Sequence, residues 1–103
     1  MIAQRVNADN FDSEVLQSDL PVLVDFYSDS CVPCKMLAPV LSQIESDHSG
    51  TLKVVKVNVN FDIELAERFN VQAAPTLILF KNGSEQARHR GAARKDEIEA
   101  LIS

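Results

Sequence analysis

The sequence predicts an α/β fold in which a central mixed sheet is flanked by helices on both faces. Three observations support this prediction: an apolar run at 20–27, a helical repeat of apolar residues after it, and an Asn-Gly pair between two strand-like runs near the end. They are typical, in turn, of a strand covered on both faces, an amphipathic helix and a hairpin. The 103 residues suit one hydrophobic core, so we expect a single domain over 1–103.

The first part of the chain indicates a strand, a short helix and a second strand. We expect a short edge strand at 2–6 and a helix marked by Phe11, Val15 and Leu16, with polar capping side chains before it at Asn7, Asp9 and Asn10. In the run 20–27, alternate residues form two faces that are apolar except for Asp25. A strand of this kind belongs in the centre of an α/β sheet.

A helix and a further strand follow the central strand. The helix is indicated by the apolar residues Met36, Leu37, Val40, Leu41 and Ile44, which recur at helical spacing. Pro39 should kink it and Gly50 should end it. The run 52–59 predicts the next strand, and strand, helix and strand in this order imply a right-handed parallel βαβ unit.

The second half of the chain changes character. A short helix is expected at 62–70 and strands at 76–80 and 85–90, with the Asn-Gly pair at 82–83 as the turn between them. An amphipathic helix closes the chain, marked by Ile98, Leu101 and Ile102. The order of elements from the central strand onward is therefore βαβαββα.

Charge and hydropathy exclude two classes of partner. The formal net charge is −5 and no basic patch is present, which argues against nucleic acid as a partner. No apolar run approaches the roughly 18 residues that a membrane span needs. The first dozen residues contain no apolar signal-peptide core, so we expect a cytoplasmic protein.

Cys31 and Cys34 form a C-x-x-C motif between the central strand and the helix. Such spacing has three interpretations: chance, half of a zinc site, or a redox-active dithiol. A zinc site needs two more ligands, and His48 and His89 lie too far apart in sequence for the usual spacing. A dithiol that opens a helix after a strand fits the surroundings best, and we expect neither a metal nor a cofactor.

The position of each cysteine suggests its role. Cys31 at the start of a helix lies beside unpaired N–H groups that favour its thiolate, so it is the predicted nucleophile. Cys34 lies one turn further and is the predicted resolving cysteine of an exchange through a mixed disulfide. Burial should raise the pKa of Asp25, unless this carboxylate faces solvent.

Several further segments accompany the motif in a characteristic order. They are LVDFYSDSCVPCK at 23–35, Pro39, KVVKVNV at 53–59, VQAAPTLILFKNG at 71–83, and Gly91. With these segments the sequence resembles the thioredoxin family over nearly its whole length. The resemblance implies the thioredoxin fold, reduction of protein disulfides and no cofactor. The partners it implies are a thioredoxin reductase-like electron donor and disulfide-bearing target proteins, and we expect a monomer.

The resemblance also implies roles for single residues. Asp25 would accept and donate the proton of the resolving step, with Lys56 as its partner, although a solvated strand lysine is the alternative. Pro75 would be a cis proline beside the dithiol, whereas by itself it would be an ordinary turn proline. Ala74 would offer backbone groups to an extended substrate. The predicted substrate-binding residues are Ser30, Val32, Pro33, Ala74, Pro75 and Gly91; Gly91 is also expected to form a bulge and Gly83 a turn.

Three positions depart from the usual family pattern. Ser30, Val32 and Ala74 stand where relatives generally carry Trp, Gly and Ile. These changes leave two alternatives to a reductase: a non-catalytic binding module, and an oxidase or isomerase. The two cysteines, Asp25 and Pro75 argue against the first, and Pro33 before the second cysteine argues against the other. We predict a disulfide reductase with a narrower or different set of partners.

Overall fold

The computed structural model describes residues 4–103. Its elements follow the predicted order, with a two-residue strand and a short helix ahead of the βαβαββα unit. They are β1 Gln4–Arg5, a π-helical turn Asp12–Leu16, β2 Val22–Tyr27, α1 Val32–Asp47, β3 Lys53–Asn58, α2 Ile63–Arg68, β4 Thr76–Lys81, β5 Ser84–Arg90 and α3 Lys95–Ile102.

The five described strands form one mixed sheet in the order β1-β3-β2-β4-β5. β2 lies at its centre, parallel to β3 and antiparallel to β4. Its first five residues are all buried, as the apolar run predicted. β2 therefore carries side chains into both layers of the protein, and Asp25 is among them.

Helices cover both faces of the sheet, so the predicted fold class is confirmed. The π-helical turn and α2 pack on one face, over a core formed by Val6, Phe11, Val15, Val22, Val24, Phe26, Val55, Val57, Leu65, Ile78 and Phe80. α1 and α3 pack on the other, over Leu23, Leu37, Leu41, Ile44, Leu52, Val54, Leu77, Leu79 and Ile98. The alternation of apolar residues along β2 divides its side chains between these two layers.

Some local features differ from the predictions. The first helix is a π-helical turn, in which Gln17 N–H donates to the Asp12 carbonyl oxygen, five residues back, at 3.0 Å. α1 runs through Pro39 and ends at Asp47, so the predicted stop at Gly50 is wrong; that glycine lies in the turn that follows. Residues 2 and 3 of the predicted edge strand lie outside the described residues.

The hairpin between β4 and β5 forms at the Asn-Gly pair. Asn82 and Gly83 have φ values of 52° and 80°, the left-handed backbone that a tight type I′ hairpin turn requires. A bulge interrupts the pairing of the two strands between Leu79 and Phe80. The bulge expected at Gly91 is therefore misplaced, because Gly91 follows the end of β5. No helix within residues 4–103 is long and apolar enough to cross a membrane.

Candidate active site

The cysteines lie where the chain leaves the centre of the sheet. β2 ends at Tyr27, a short loop follows, and Cys31 is the N-cap of α1. Pro33 stands in the first turn of the helix, where its missing N–H breaks no helical hydrogen bond. The carboxyl end of a parallel strand and the start of a helix thus meet at the reactive sulfurs, a common position for functional sites in α/β proteins.

Cys31 and Cys34 form a disulfide in this structure, with their Cα atoms 5.2 Å apart. Cys31 is half-buried, whereas Cys34 is only 5% exposed. The backbone N–H of Cys34 donates to Cys31 Sγ at 3.1 Å. A donor and the positive end of the helix dipole therefore both act on the more accessible sulfur, which favours the thiolate of Cys31 in the reduced protein.

Asp25 is buried beneath the dithiol, on the face of the sheet that α1 covers. It is 6% exposed, and its Oδ1 accepts no hydrogen bond. It lines a cavity of about 190 Å³ together with Cys34 and Lys56. Burial raises the pKa of Asp25 to about 7, and the positive charge of Lys56 opposes this rise only in part. Asp25 is therefore buried as predicted and not solvent-facing.

Lys56 lies directly across from Asp25, in β3. The two residues are register partners of the parallel pair, so their side chains share one face of the sheet. Their charged atoms nevertheless form no ion pair within 4.0 Å. Lys56 Nζ instead lies 5.5 Å from the centroid of the Tyr27 ring. Lys56 thus acts on Asp25 through its field at a distance, while its ammonium group rests against an aromatic face.

The remaining predicted site residues meet at the same end of the sheet. The Ala74–Pro75 peptide bond is cis, and Pro75 is buried. Thr76 pairs with Phe26 on one side and with Arg90 on the other, so Pro75 and Gly91 both lie near the end of β2. The N–H of Gly91 donates to the Pro75 carbonyl oxygen at 2.8 Å. The register therefore places these two residues at the end of β2 from which the loop to Cys31 begins.

The residues around the sulfurs are largely accessible. Ser30 and Pro33 are exposed, Ala74 is half-buried, and Val32 is 64% exposed. An accessible apolar side chain therefore stands between the two cysteines.

Sequence reasoning missed an apolar groove beside the motif. Met36 belongs to the apolar repeat that predicts α1, but its side chain is 71% exposed. With Pro33, Val40, Ala92 and Ala93 it lines a groove of about 300 Å³. The available signal was the spacing of Pro33, Met36 and Val40, which are three and four residues apart and so share a helix face.

The two histidines lie in other surroundings. His48 Nε2 pairs with Glu99 Oε1 at 2.7 Å, joining the end of α1 to α3. His89 Nε2 lies 3.0 Å from the Ala92 carbonyl oxygen. Across residues 4–103, no three metal-ligating side chains come together.

Comparison with known proteins agrees with this geometry. The family model described as thioredoxin matches residues 2–103. The chain belongs to the thioredoxin family. A thioredoxin of Pseudomonas aeruginosa is 41% identical over 93 residues, which cover 90% of this chain and 86% of that protein. Thioredoxins of Rickettsia bellii and Haemophilus influenzae are 38% and 40% identical over 94% and 95% of this chain, and each match covers 92% of the relative.

The activity of the chain follows from its membership of the thioredoxin family. The chain is a thiol–disulfide oxidoreductase that reduces protein disulfides, and the alternative of a binding module is not favoured. Its general partners are those of the thioredoxin family: a reductase that supplies electrons and proteins that carry disulfides.

Proposed function

We propose that this chain reduces target disulfides with Cys31 as nucleophile and Cys34 as resolving cysteine. The observation that carries the assignment is the asymmetry of the pair: Cys31 is half-buried at the N-cap and receives the Cys34 N–H, whereas Cys34 is buried. The thiolate that is both stabilised and accessible attacks first.

The exchange then proceeds in two steps. The Cys31 thiolate attacks one sulfur of the target disulfide, which breaks that bond and releases the other target sulfur as a thiolate that takes up a proton. Cys34 loses its proton and attacks Cys31 in the mixed disulfide, releasing the second target sulfur. The two electrons that reduced the target have left the protein, and the Cys31–Cys34 disulfide remains.

Asp25 is the proposed proton acceptor for Cys34. Both residues line the same cavity, and a carboxyl with a pKa of about 7 can hold or release a proton near neutral pH. Its unpartnered Oδ1 leaves an acceptor site available. Lys56 is the proposed partner of Asp25, since its charge acts against the rise in the pKa of that carboxyl.

The target is proposed to bind across the residues that surround the sulfurs. An extended target segment lies along the backbone of Ala74, and its side chains contact the surface made by Ser30, Val32, Pro33, Pro75 and Gly91. A thioredoxin reductase-like donor, binding over the same sulfurs, returns two electrons and two protons. The protein acts as a monomer. It needs no cofactor, because the two sulfurs store both electrons.

Exchanging each cysteine for serine tests the division of roles. Cys31→Ser should abolish the reduction of insulin by dithiothreitol, because no accessible thiolate remains. Cys34→Ser should form mixed disulfides with target proteins that persist on a non-reducing gel, because nothing resolves them. Equal trapping by the two variants, or trapping by Cys31→Ser alone, would mean that the nucleophile is wrongly assigned.

A further inference from the structure

Hydrogen bonds between side chains join the loop before Cys31 to the loop after β3. Asn60 Nδ2 donates to Ser28 Oγ at 2.9 Å, and the Ser28 and Ser30 hydroxyl oxygens lie 3.2 Å apart. Asn58 Nδ2 donates to Asp29 Oδ2 at 3.1 Å. We call these five residues the loop bridge. Each member of the loop 28–30 contributes a polar side chain to it.

The loop after β3 provides a fixed anchor for the bridge. Asn58 is the last residue of β3 and only 1% exposed, and its Oδ1 accepts the backbone N–H of Asn60 at 2.9 Å. Val59 N–H donates to the Tyr27 carbonyl oxygen at 2.9 Å, which extends the pairing of the two strands by one residue. This side of the bridge is therefore held by the sheet itself.

The other side of the bridge leads directly to the reactive sulfur. The backbone N–H of Cys31 donates to the Ser28 carbonyl oxygen at 3.2 Å, closing a turn over 28–31. Asp29 and Ser30 are exposed, and no side chain of the loop 28–30 is apolar, so hydrophobic packing cannot fix its position. Polar contacts must hold the turn that carries Cys31.

We propose that Ser28 and Asn60 are positioning residues that keep Cys31 Sγ at the start of α1 when the disulfide is open. In the oxidised protein the bond to Cys34 restrains this sulfur. In the reduced protein that restraint is gone, and the 3.1 Å approach of Sγ to the Cys34 N–H depends on where the turn holds Cys31. The bridge thereby sustains the thiolate on which target attack relies. The inference rests on the proposed role of Cys31.

Removing single polar groups from the bridge tests this assignment. Ser28→Ala deletes one oxygen atom and with it the contacts to Asn60 and Ser30. Asn60→Ala removes the amide that donates to Ser28, and Ser28→Thr keeps the hydroxyl. Ser18→Ala is the matched control, since Ser18 Oγ likewise accepts one loop hydrogen bond, from Leu20 N–H at 3.2 Å, away from the site. All variants retain the charged groups around the dithiol, namely Asp25, Asp29, Lys35 and Lys56.

The measurement is the rate at which iodoacetamide alkylates Cys31 in the reduced proteins, followed by mass spectrometry from pH 5 to 9. Ser28→Ala and Asn60→Ala should each move the midpoint of the pH profile upward and slow alkylation at pH 7 by about three- to tenfold, the effect of one lost hydrogen bond. The double variant should be no slower than the slower single variant, because both changes break the same chain. Ser28→Thr should recover most of the parental rate.

Two results would overturn the proposal: profiles of Ser28→Ala and Asn60→Ala that match those of the parent and Ser18→Ala, or effects that add in the double variant. The proposed function is tested separately, by insulin reduction and target trapping with the parent and the cysteine variants. Alkylation reports the state of Cys31 whether or not turnover occurs, so failure of one proposal leaves the other measurable.

Discussion

Asp25 combines a structural disadvantage with a chemical use. The side chain of Asp25 is only 6% exposed, and its Oδ1 has no hydrogen-bond partner. Burial disfavours the charged carboxylate and so raises the pKa of Asp25 to about 7. The folded protein therefore binds this proton more tightly than the unfolded chain, whose carboxyl titrates near pH 4. The contribution of Asp25 to stability is fully present below about pH 4 and is lost as pH rises through the folded pKa of about 7.

Asp25→Asn should consequently stabilise the oxidised protein at pH 8, by about 2 kcal/mol once the burial of an unpartnered amide is subtracted. At pH 4 the gain should give way to a loss of about 2 kcal/mol, because Asp25 is then protonated in the folded state and only the cost of the unpartnered amide remains. Urea unfolding at both pH values measures the difference, with the exposed carboxylate variant Asp19→Asn as control. No gain in stability at pH 8 would contradict the burial of a charge at this position.

Asp25→Asn should also slow the resolution of mixed disulfides at pH 7 by about 100-fold, since the base is lost.

The serine at position 30 predicts a set of partners that is narrower than, or different from, that of relatives with Trp there. Relatives generally carry Trp at this position. Fully burying a large apolar side chain contributes about 1.5–3 kcal/mol to the free energy of binding. A Trp ring that a partner half covers keeps about half of that, which is roughly tenfold in affinity. This chain offers an exposed hydroxyl at position 30, with Asp29 beside it.

Ser30→Trp should accordingly raise kcat/KM for insulin and for a standard thioredoxin reductase by about tenfold. Ser30→Ala, which removes the hydroxyl without adding a ring, is the control. If the parent already matches a Trp-bearing thioredoxin on both substrates and Ser30→Trp gains nothing, the specialisation is absent.

The β4–β5 hairpin depends on one glycine for both backbone shape and space. Gly83 has a φ of +80°, and a Cβ at this position would lie 3.1 Å from the carbonyl oxygen of Leu16, at the end of the π-helical turn. The hairpin turn therefore packs against the π-helical turn. Gly50 has a similar φ of +84° but nothing within 4 Å of a Cβ.

The two glycines form a matched pair for an alanine test. Gly50→Ala should lower the free energy of unfolding by about 1 kcal/mol, the penalty of a left-handed backbone for alanine. Gly83→Ala should lower it by about 2 kcal/mol, because the close contact adds to the same penalty. Urea denaturation midpoints give both values. Equal losses would show that the Leu16 carbonyl moves aside freely.

The edge strands of the sheet affect the oligomeric state of the protein. β5 is one edge, and its exposed or half-buried side chains include Glu85, Arg88 and Arg90. Charged side chains along an edge strand oppose pairing with a second sheet, and the described part of the other edge, β1, is only two residues long. The sheet therefore offers little surface for edge-to-edge association.

A monomer of 11.4 kDa is the expected state in solution. Light scattering after size exclusion should give this mass for oxidised and reduced protein over a hundredfold range of concentration. Glu85→Val with Arg90→Val, which removes exposed charges from β5, should shift the elution toward larger species. A parent mass of twice the expected value would contradict this prediction.

Local patterns in the sequence were enough for the architecture and the centre of the site. A short apolar run rich in β-branched and aromatic residues favours a strand covered on both faces, and that strand placed Asp25 in the interior. A cysteine pair spaced by one helical turn at the start of a helix puts both sulfurs within reach of each other. The Asn-Gly pair fixed the hairpin, because few other dipeptides adopt that backbone so readily. These features depend on neighbours along the chain.

The tertiary structure decided what depends on distant neighbours. Met36 belongs to the apolar repeat of α1 but remains exposed, because only an open groove lies opposite it. Lys56 shares a face with Asp25, yet its ammonium group rests near the Tyr27 ring. The bridge from Asn60 to Ser28 joins residues 32 positions apart. A sequence pattern specifies which face a residue occupies; the packing of other elements determines what that face meets, and so sets the pKa of Asp25 and the position of Cys31.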